Sequence, residues 1–254
     1  MTILSFYILI CLAIFFFQEK ILFYPEVLAD DFAFNFPYPF TERYYETDNA
    51  RIHALHFTST KHKGIIYYLH GNAGSLRNWG YVAKLFLLAD YDVLMIDYRG
   101  YGKSTGTLSE AALLSDALSI YHSLTKEYDE SLIHIYGRSI GSSMATYVAS
   151  MGNPAACILE APFYSMYDLA NHHFPWLIPW VIRYPLRTDK YIRNIKAPVY
   201  IFHGTGDEII YYRSSEKLAQ LLSPPSQFFP VKGGGHNNLK DYDEYTKKLS
   251  SLLE

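Results

Sequence analysis

The chain has 254 residues, of which 50% are hydrophobic and 17% aromatic, and its formal net charge at pH 7 is -3. This composition supplies enough apolar side chains for the core of one globular domain and argues against disorder. The near-neutral charge and the lack of a Lys and Arg stripe argue against a nucleic-acid partner. Cys11 and Cys157 each lie outside any Cys/His cluster, so we expect no disulfide and no metal site.

The N-terminal segment is apolar and uncharged from residue 1 to residue 17, and residues 21–24 continue this character after Gln18, Glu19 and Lys20. A helix over the first run is about 25 Å long, close to the ~30 Å hydrocarbon core of a bilayer. No basic residue precedes the run and no small-x-small cleavage site follows it, which favours an uncleaved anchor over a signal peptide. A buried N-terminal helix is the other alternative.

We therefore predict a single-pass membrane anchor over residues 1–24, a Pro-rich linker over residues 25–40 and one domain over residues 41–254. Lys20 follows the apolar run, and positive charges beside a membrane helix lie mainly on the cytoplasmic side. This single charge favours a cytoplasmic location for the domain. Within the domain, β-branched and aromatic runs alternate with helical patterns, which is typical of an α/β fold with a mostly parallel sheet. Strands are predicted at 52–58, 64–69, 93–98, 133–136, 156–160, 199–203 and 227–231. Helices are predicted at 79–90, 110–126, 140–150, 214–222 and 241–253.

Residues 163–195 are too many for a simple turn between two elements, and they are rich in large apolar side chains. We interpret this segment as a small cap insertion with broken helices, because three prolines interrupt it. Phe174, Trp176 and Trp180 are expected to line a substrate pocket under the cap. The alternative is an ordinary crossover helix whose aromatic side chains belong to the core.

The motif Gly137-Arg138-Ser139-Ile140-Gly141 stands between a predicted strand and a predicted helix. A G-x-S-x-G sequence in this setting forms a sharp turn that exposes the serine, and the glycines avoid collisions with neighbouring backbone. We predict that Ser139 is a catalytic nucleophile.

A serine hydroxyl is a weak nucleophile near neutral pH and needs a histidine base that is oriented by an acid. Asp207 follows the strand predicted at 199–203, and His236 follows the strand predicted at 227–231. These positions predict a Ser139, Asp207 and His236 triad. Glu160, which ends another strand, is the alternative acid, whereas we expect Asp97 to organise a turn below the site.

A developing oxyanion requires two backbone N–H donors, one of them from the residue after the nucleophile. Ile140 occupies that position. The second donor is expected from Asn72 in the glycine-bearing loop that follows the strand predicted at 64–69. A purely structural turn is the alternative interpretation of this loop.

These motifs together resemble the α/β-hydrolase superfamily, and more closely the Bem46-like membrane hydrolases related to the serine aminopeptidase S33 and monoglyceride lipase-like groups. The resemblance covers nearly the whole chain, through the apolar N-terminus with Gln18-Glu-Lys-Ile-Leu-Phe-Tyr-Pro25, His70-Gly-Asn-Ala-Gly74, Asp97-Tyr-Arg-Gly-Tyr-Gly-Lys-Ser104, Gly137-Arg-Ser-Ile-Gly141, His203-Gly-Thr-Gly-Asp207 and Gly235-His236. It implies the α/β-hydrolase fold, with helices on both faces of a twisted sheet, and a serine hydrolase mechanism. It does not specify the substrate, because related proteins include esterases, lipases, acyl-protein thioesterases and peptidases.

Three functions remain open at this stage. The intact set of nucleophile, base, acid and oxyanion loop favours hydrolysis of an ester or thioester of a lipid or acylated protein. The alternatives are a membrane-tethered interaction protein without turnover and a peptidase-like hydrolase. No phosphate-binding loop or metal-ligand cluster appears in the sequence, so we expect no cofactor.

Overall fold

The computed structural model describes residues 2–254. Its sheet has eight strands in the order β1-β2-β4-β3-β5-β6-β7-β8. The strands are β1 (Phe40–Thr47), β2 (Ala50–Phe57), β3 (Ile65–Leu69), β4 (Asp92–Ile96), β5 (Ile133–Arg138), β6 (Ala156–Glu160), β7 (Val199–Gly204) and β8 (Gln227–Val231). β2 pairs antiparallel with β1 and β4, and the other pairings are parallel. The predicted α/β class and mostly parallel sheet are confirmed.

The helices lie at the N-terminus, on both faces of the sheet and in the segment between β6 and β7. They are α1 (Ile3–Leu22), α2 (Leu76–Trp79), α3 (Ala83–Leu87), α4 (Glu110–Leu124), α5 (Gly141–Met151), α6 (Met166–His173), α7 (Thr188–Tyr191), α8 (Arg213–Ala219) and α9 (Asp243–Leu252). The single helix predicted at 79–90 is instead two short helices, α2 and α3, separated by a 3-10 turn at Gly80–Val82. It also ends earlier, at Leu87, and Asp90 has a left-handed φ of 67° that an α-helix does not accommodate.

The two layers of the core follow from the alternation of side chains along each strand. Tyr67 of β3 joins a buried cluster that includes Ile120 of α4 and Met144 of α5. Its neighbour Tyr68 joins the cluster on the other face, together with Phe86 of α3. A strand with both faces covered is apolar throughout, which explains the continuous run of hydrophobic residues in β3.

β1 was not predicted from the sequence. It forms a hairpin with β2 through a turn in which Asn49 has a φ of 57°. Its side chains alternate between exposed and partly buried positions, because β1 is the edge strand of the sheet. Its aromatic and threonine residues, which favour strands, were the signal that could have revealed it, although they do not alternate strictly with polar residues.

The segment expected as a linker, residues 25–40, packs along the domain. Glu26 donates its backbone N–H to Gly74 at 3.0 Å, and Gly102 donates to Glu26 at 2.7 Å. Further along, the Phe36 ring is buried against Phe57, with centroids 5.3 Å apart. The chain leaving α1 is therefore fixed to the loops that follow β3 and β4.

The interrupted helices predicted for residues 163–195 are present. α6 ends at His173, a short 3-10 turn covers Pro179–Val181, and α7 begins at Thr188. The Pro179–Val181 turn starts at a proline, whose missing N–H is tolerated at a helix start. This cap lies between β6 and β7, at the carboxyl edge of the parallel strands.

His134 on β5 gives a testable pH dependence of stability. Its ring packs edge-on against Tyr91, and burial lowers its pKa from 6.5 to about 4. The His134 imidazole therefore becomes protonated near pH 6.5 in the unfolded chain but only near pH 4 in the folded chain. Stability from this group is complete above pH 6.5 and is lost as the pH falls toward 4, by up to about 3 kcal/mol.

We expect His134→Phe to flatten the decline in the free energy of unfolding between pH 7 and pH 4.5, measured by urea denaturation in detergent. His122→Phe on the exposed face of α4 is the matched control and should decline like the wild type. Equal slopes for all three proteins would contradict the role of His134.

Candidate active site

Ser139 lies in the turn between β5 and α5, and its φ of 52° is in the left-handed region. This conformation is strained for a non-glycine residue and is concentrated at functional sites. Ser139 donates its backbone N–H to the Glu160 carbonyl at 2.9 Å. A Cβ on Gly141 would lie 2.1 Å from the Leu69 carbonyl oxygen, so only glycine lets α5 approach β3 this closely. The turn therefore holds the serine at the carboxyl edge of the central strands.

Two hydrogen bonds connect Ser139 to Asp207 through His236. The His236 Nδ1 donates to Asp207 Oδ2 at 2.7 Å, which leaves Nε2 as the acceptor for the Ser139 hydroxyl at 3.0 Å. The structure thus brings the predicted nucleophile, acid and base into contact. This geometry allows the imidazole to remove the hydroxyl proton while the carboxylate holds the ring in the required tautomer.

The carboxylate of Asp207 is buried and richly hydrogen-bonded. Its Oδ1 accepts the backbone N–H groups of Ile209 and Ile210, each at 2.9 Å. The Nε2 of His203 lies 3.2 Å from Oδ2. Burial opposes the charge, but the hydrogen bonds from His203, His236 and Ile210 outweigh it and hold the pKa of Asp207 well below its usual range. Asp207 is therefore charged at every pH at which the enzyme is expected to work.

The loops carrying Asp207 and His236 are joined by their own backbones. Gly206 donates its N–H to the Gly234 carbonyl at 2.8 Å. A Cβ on Gly204 would lie 2.1 Å from that same oxygen, so the close approach depends on glycine. This contact fixes the separation of acid and base.

His203 stands in a His-Gly turn, a setting whose usual interpretation is structural, and in the structure it also lies beside the acid. Its Nδ1 lies 2.6 Å from the Ser215 hydroxyl, and its Nε2 lies 2.9 Å from the Ile210 carbonyl oxygen and 3.2 Å from Asp207 Oδ2. The spacing of four residues between His203 and Asp207, across a turn with two glycines, was the signal that could have revealed this pairing.

The alternative acids have other partners. Glu160 forms an ion pair with Arg138, with Oε1 2.9 Å from Nε, and accepts the Tyr245 hydroxyl at 3.0 Å. Arg138 in turn donates to the His236 carbonyl at 3.2 Å. Asp97 is fully buried and accepts the backbone N–H of Leu76 at 3.0 Å, which is a turn-organising role.

The two residues expected to stabilise an oxyanion, Asn72 and Ile140, both line the cavity in front of Ser139. Within residues 2–254 neither of their backbone N–H groups donates to another protein group. The Asn72 side chain accepts the Tyr24 N–H at 3.3 Å and donates to the Leu22 carbonyl. The amide therefore ties the end of α1 to this loop and leaves the backbone N–H of Asn72 available.

The cavity in front of Ser139 has a volume of about 440 Å³. Part of its wall comes from the end of α1 and the residues after it, namely Ile21, Leu22 and Tyr24. Sequence reasoning missed these three, because nothing in the local pattern predicts that an anchor contacts the site. Within residues 2–254 no group of three or more His, Cys, Asp or Glu side chains could hold a metal ion.

The cap aromatics lie elsewhere than expected. Phe174 and Trp176 line a neighbouring cavity between α1 and the cap, rather than the cavity in front of Ser139. Trp180 lines neither cavity and is 65% exposed. The physical reason is the Pro179–Val181 turn, which buries Val181 completely and leaves Trp180 on the surface.

Comparisons with known proteins agree with this fold. The family model described as serine aminopeptidase, S33, matches residues 60–188. An uncharacterised protein of Mycobacterium tuberculosis is 33% identical over 179 residues, which cover 66% of this chain and 61% of that protein. The lysophosphatidylserine lipase ABHD12 of Mus musculus is 29% identical over 191 residues, covering 66% of this chain and 48% of the lipase. The chain thus spans less than two thirds of the length of these curated relatives.

A solved esterase of Pyrococcus furiosus, Pf2001, superimposes with a TM-score of 0.73 at 17% sequence identity and covers 91% of this chain and 96% of its own. The fold is that of the α/β-hydrolases, and the contacts among Ser139, His236 and Asp207 have the geometry of a serine hydrolase site. Because the matching model extends over half of the sequence, the chain belongs to the serine aminopeptidase S33 family of hydrolases.

The identity of the acid can be tested with two isosteric substitutions. We expect Asp207→Asn to lower kcat by about 10⁴, because the amide favours the wrong histidine tautomer. Glu160→Gln should lower kcat much less, since its carboxylate pairs with Arg138. Steady-state hydrolysis of a p-nitrophenyl ester measures both effects. A larger loss for Glu160→Gln would assign the acid to Glu160.

Proposed function

We propose that the protein hydrolyses carboxylic esters or thioesters of lipid-like or acylated substrates through an acyl-enzyme on Ser139. The observation that carries the proposal is the pair of hydrogen bonds, 2.7 Å and 3.0 Å long, that joins Asp207 to His236 and His236 to Ser139. A nucleophile in contact with its base, and a base in contact with its orienting acid, is the arrangement that serine catalysis requires.

In the proposed reaction, the Ser139 oxygen attacks the substrate carbonyl while its proton moves to His236 Nε2. The backbone N–H groups of Asn72 and Ile140 stabilise the oxyanion, and Asp207 stabilises the imidazolium. The C–O or C–S bond then breaks, and the leaving group takes the proton from His236. Water, deprotonated by His236, attacks the acyl-enzyme, and the acid product and the free serine result.

The lining of the cavity supports an ester rather than a peptide with a free amino terminus. An aminopeptidase must bind an ammonium group, and a carboxylate is its usual partner. Among the described residues that line the 440 Å³ cavity, none is an Asp or a Glu. Side chains such as Phe163, Met166 and Leu169 form an apolar wall suited to an acyl group. Two of the proteins that this chain resembles, a lysophosphatidylserine lipase and an esterase, point in the same direction.

We further propose that α1 anchors the enzyme in a membrane, with the cap packed along α1 at the bilayer and the rest of the domain following residue 40 on the cytoplasmic side. α1 is long and apolar enough to cross a bilayer. Its buried positions are Cys11 and Gln18, while side chains such as Ile3 and Phe16 are exposed. An exposed apolar helix of this length is stable in hydrocarbon and unfavourable in water.

The proposed nucleophile and base can be tested by removing each in turn. Ser139→Ala and His236→Ala should each lower kcat for p-nitrophenyl esters by about 10⁴ or more, because triad residues act as a unit. Ser139→Ala should also abolish labelling by a fluorophosphonate, which reacts with an activated serine. Ser150→Ala, in the last turn of α5, is the matched control and should keep full activity and labelling. A folded Ser139→Ala enzyme with full activity would refute the mechanism.

The membrane anchor is tested by fractionation of cells that express the full chain. The protein should sediment with membranes, resist extraction by alkaline carbonate and retain its first residues in N-terminal sequencing. Leu9→Arg with Leu12→Arg should weaken retention, because charges at the centre of a spanning helix are unfavourable. A soluble mature protein beginning near residue 25 would instead identify α1 as a signal sequence.

A further inference from the structure

A second cavity, of about 320 Å³, lies between α1 and the cap. It is not required by the catalytic geometry, yet it adjoins the cavity in front of Ser139. Four side chains line both cavities, namely Ile21, Leu22, Met166 and Leu169. The side chains shared by the two spaces are therefore all apolar, two of them from α1 and two from α6.

The lining of this second space, which we call the α1–cap cavity, presents almost no free polar group. Gln18 is bonded on both sides: its Nε2 donates to the Val181 carbonyl at 3.1 Å, and its Oε1 accepts the Arg183 N–H at 2.7 Å. His173 has its Nε2 3.3 Å from the Ile209 carbonyl. A charged or strongly hydrated group would lose its water here without compensation, whereas hydrocarbon is favoured.

Specific contacts hold the two walls of the α1–cap cavity together. Tyr7 of α1 donates its hydroxyl to the Trp176 carbonyl at 2.9 Å. At the other end, Glu19 pairs with Arg183 at 3.1 Å and accepts the Tyr184 hydroxyl at 2.8 Å. The cavity is thus bounded by polar contacts at both ends, and its interior is left for an apolar occupant.

We propose that the α1–cap cavity binds the acyl chain of the substrate whose carbonyl is attacked by Ser139. This inference rests on the proposed ester hydrolysis and extends it to a substrate class, the single-chain lipid esters with medium or long acyl groups. A short acyl group fits within the catalytic cavity alone, whereas a longer one passes between Leu22 and Leu169 into the second space. The membrane helix is then part of the substrate-binding site.

Filling the α1–cap cavity from either wall tests this proposal on the full chain in detergent micelles. Ala170 of α6 and Ile14 of α1 line this cavity and not the catalytic one. We expect Ala170→Trp and Ile14→Trp each to lower kcat/KM for p-nitrophenyl laurate at least tenfold and to change that for p-nitrophenyl acetate less than twofold. Each buried methylene contributes roughly a fourfold gain in binding, so excluding a few of them suffices.

Matched controls place the same side chain outside the cavity. Asn171→Trp is adjacent on α6 but exposed, and Leu12→Trp lies on the exposed side of α1. Both should retain the wild-type ratio of laurate to acetate hydrolysis. Labelling of Ser139 by a small fluorophosphonate checks that every variant is folded.

Three outcomes would overturn the proposal. An unchanged laurate to acetate ratio in both cavity variants would show that the acyl chain binds elsewhere. An equal loss of laurate hydrolysis in the control variants would show that the effect comes from a changed position of the enzyme in the micelle. A wild-type enzyme that hydrolyses neither ester would contradict the proposed function itself. That result differs from the first two because no variant would then show any activity, even on the acetate ester.

Discussion

The hydrogen bond between Asp207 and His236 joins the loops that follow the last two strands of the sheet. It forms only because β7 and β8 are parallel neighbours, so that their carboxyl ends lie side by side. The same parallel arrangement brings the end of β5, with Ser139, to the edge where these loops meet. The buried carboxylate then depends on His203 and on two backbone N–H groups to remain charged. The hydrogen bond between Asp207 Oδ2 and His236 Nδ1 therefore depends on the strand order, on the close glycine contacts and on the charge of the carboxylate.

Much of this arrangement could be predicted from the sequence. The G-x-S-x-G motif, the aspartate after β7 and the histidine after β8 each have a local signature, because the chemistry requires a turn directly after a strand. The strands from β2 to β8 were predicted to within a few residues. The signal was clearest for the buried parallel strands such as β3 and β6, whose sequences are almost entirely apolar. The catalytic roles of Ser139, Asp207 and His236 stay predictions until the substitutions are made.

What the sequence did not reveal depends on contacts between distant parts of the chain. The edge strand β1 has a weak pattern, because half of its side chains face solvent. Residues 25–40 look like a tether by their proline content, yet their backbone pairs with the loops holding Asn72 and Gly102. The exposure of Trp180 follows from the direction of a single 3-10 turn, which composition does not determine.

The contacts of Gln18 and Glu19 with the cap have a geometric consequence for an enzyme seated in a bilayer. They attach the last turns of α1 rigidly to the domain, and the side chains just beyond them, Ile21 and Leu22, border the space in front of Ser139. In the proposed membrane-anchored enzyme, Ser139 therefore lies at a constant height relative to the membrane surface. Such an enzyme would react with lipids whose ester carbonyl lies at that height and would not reach those with the same head group but a deeper or shallower linkage. Depth in the bilayer becomes a criterion of selection alongside chemical identity.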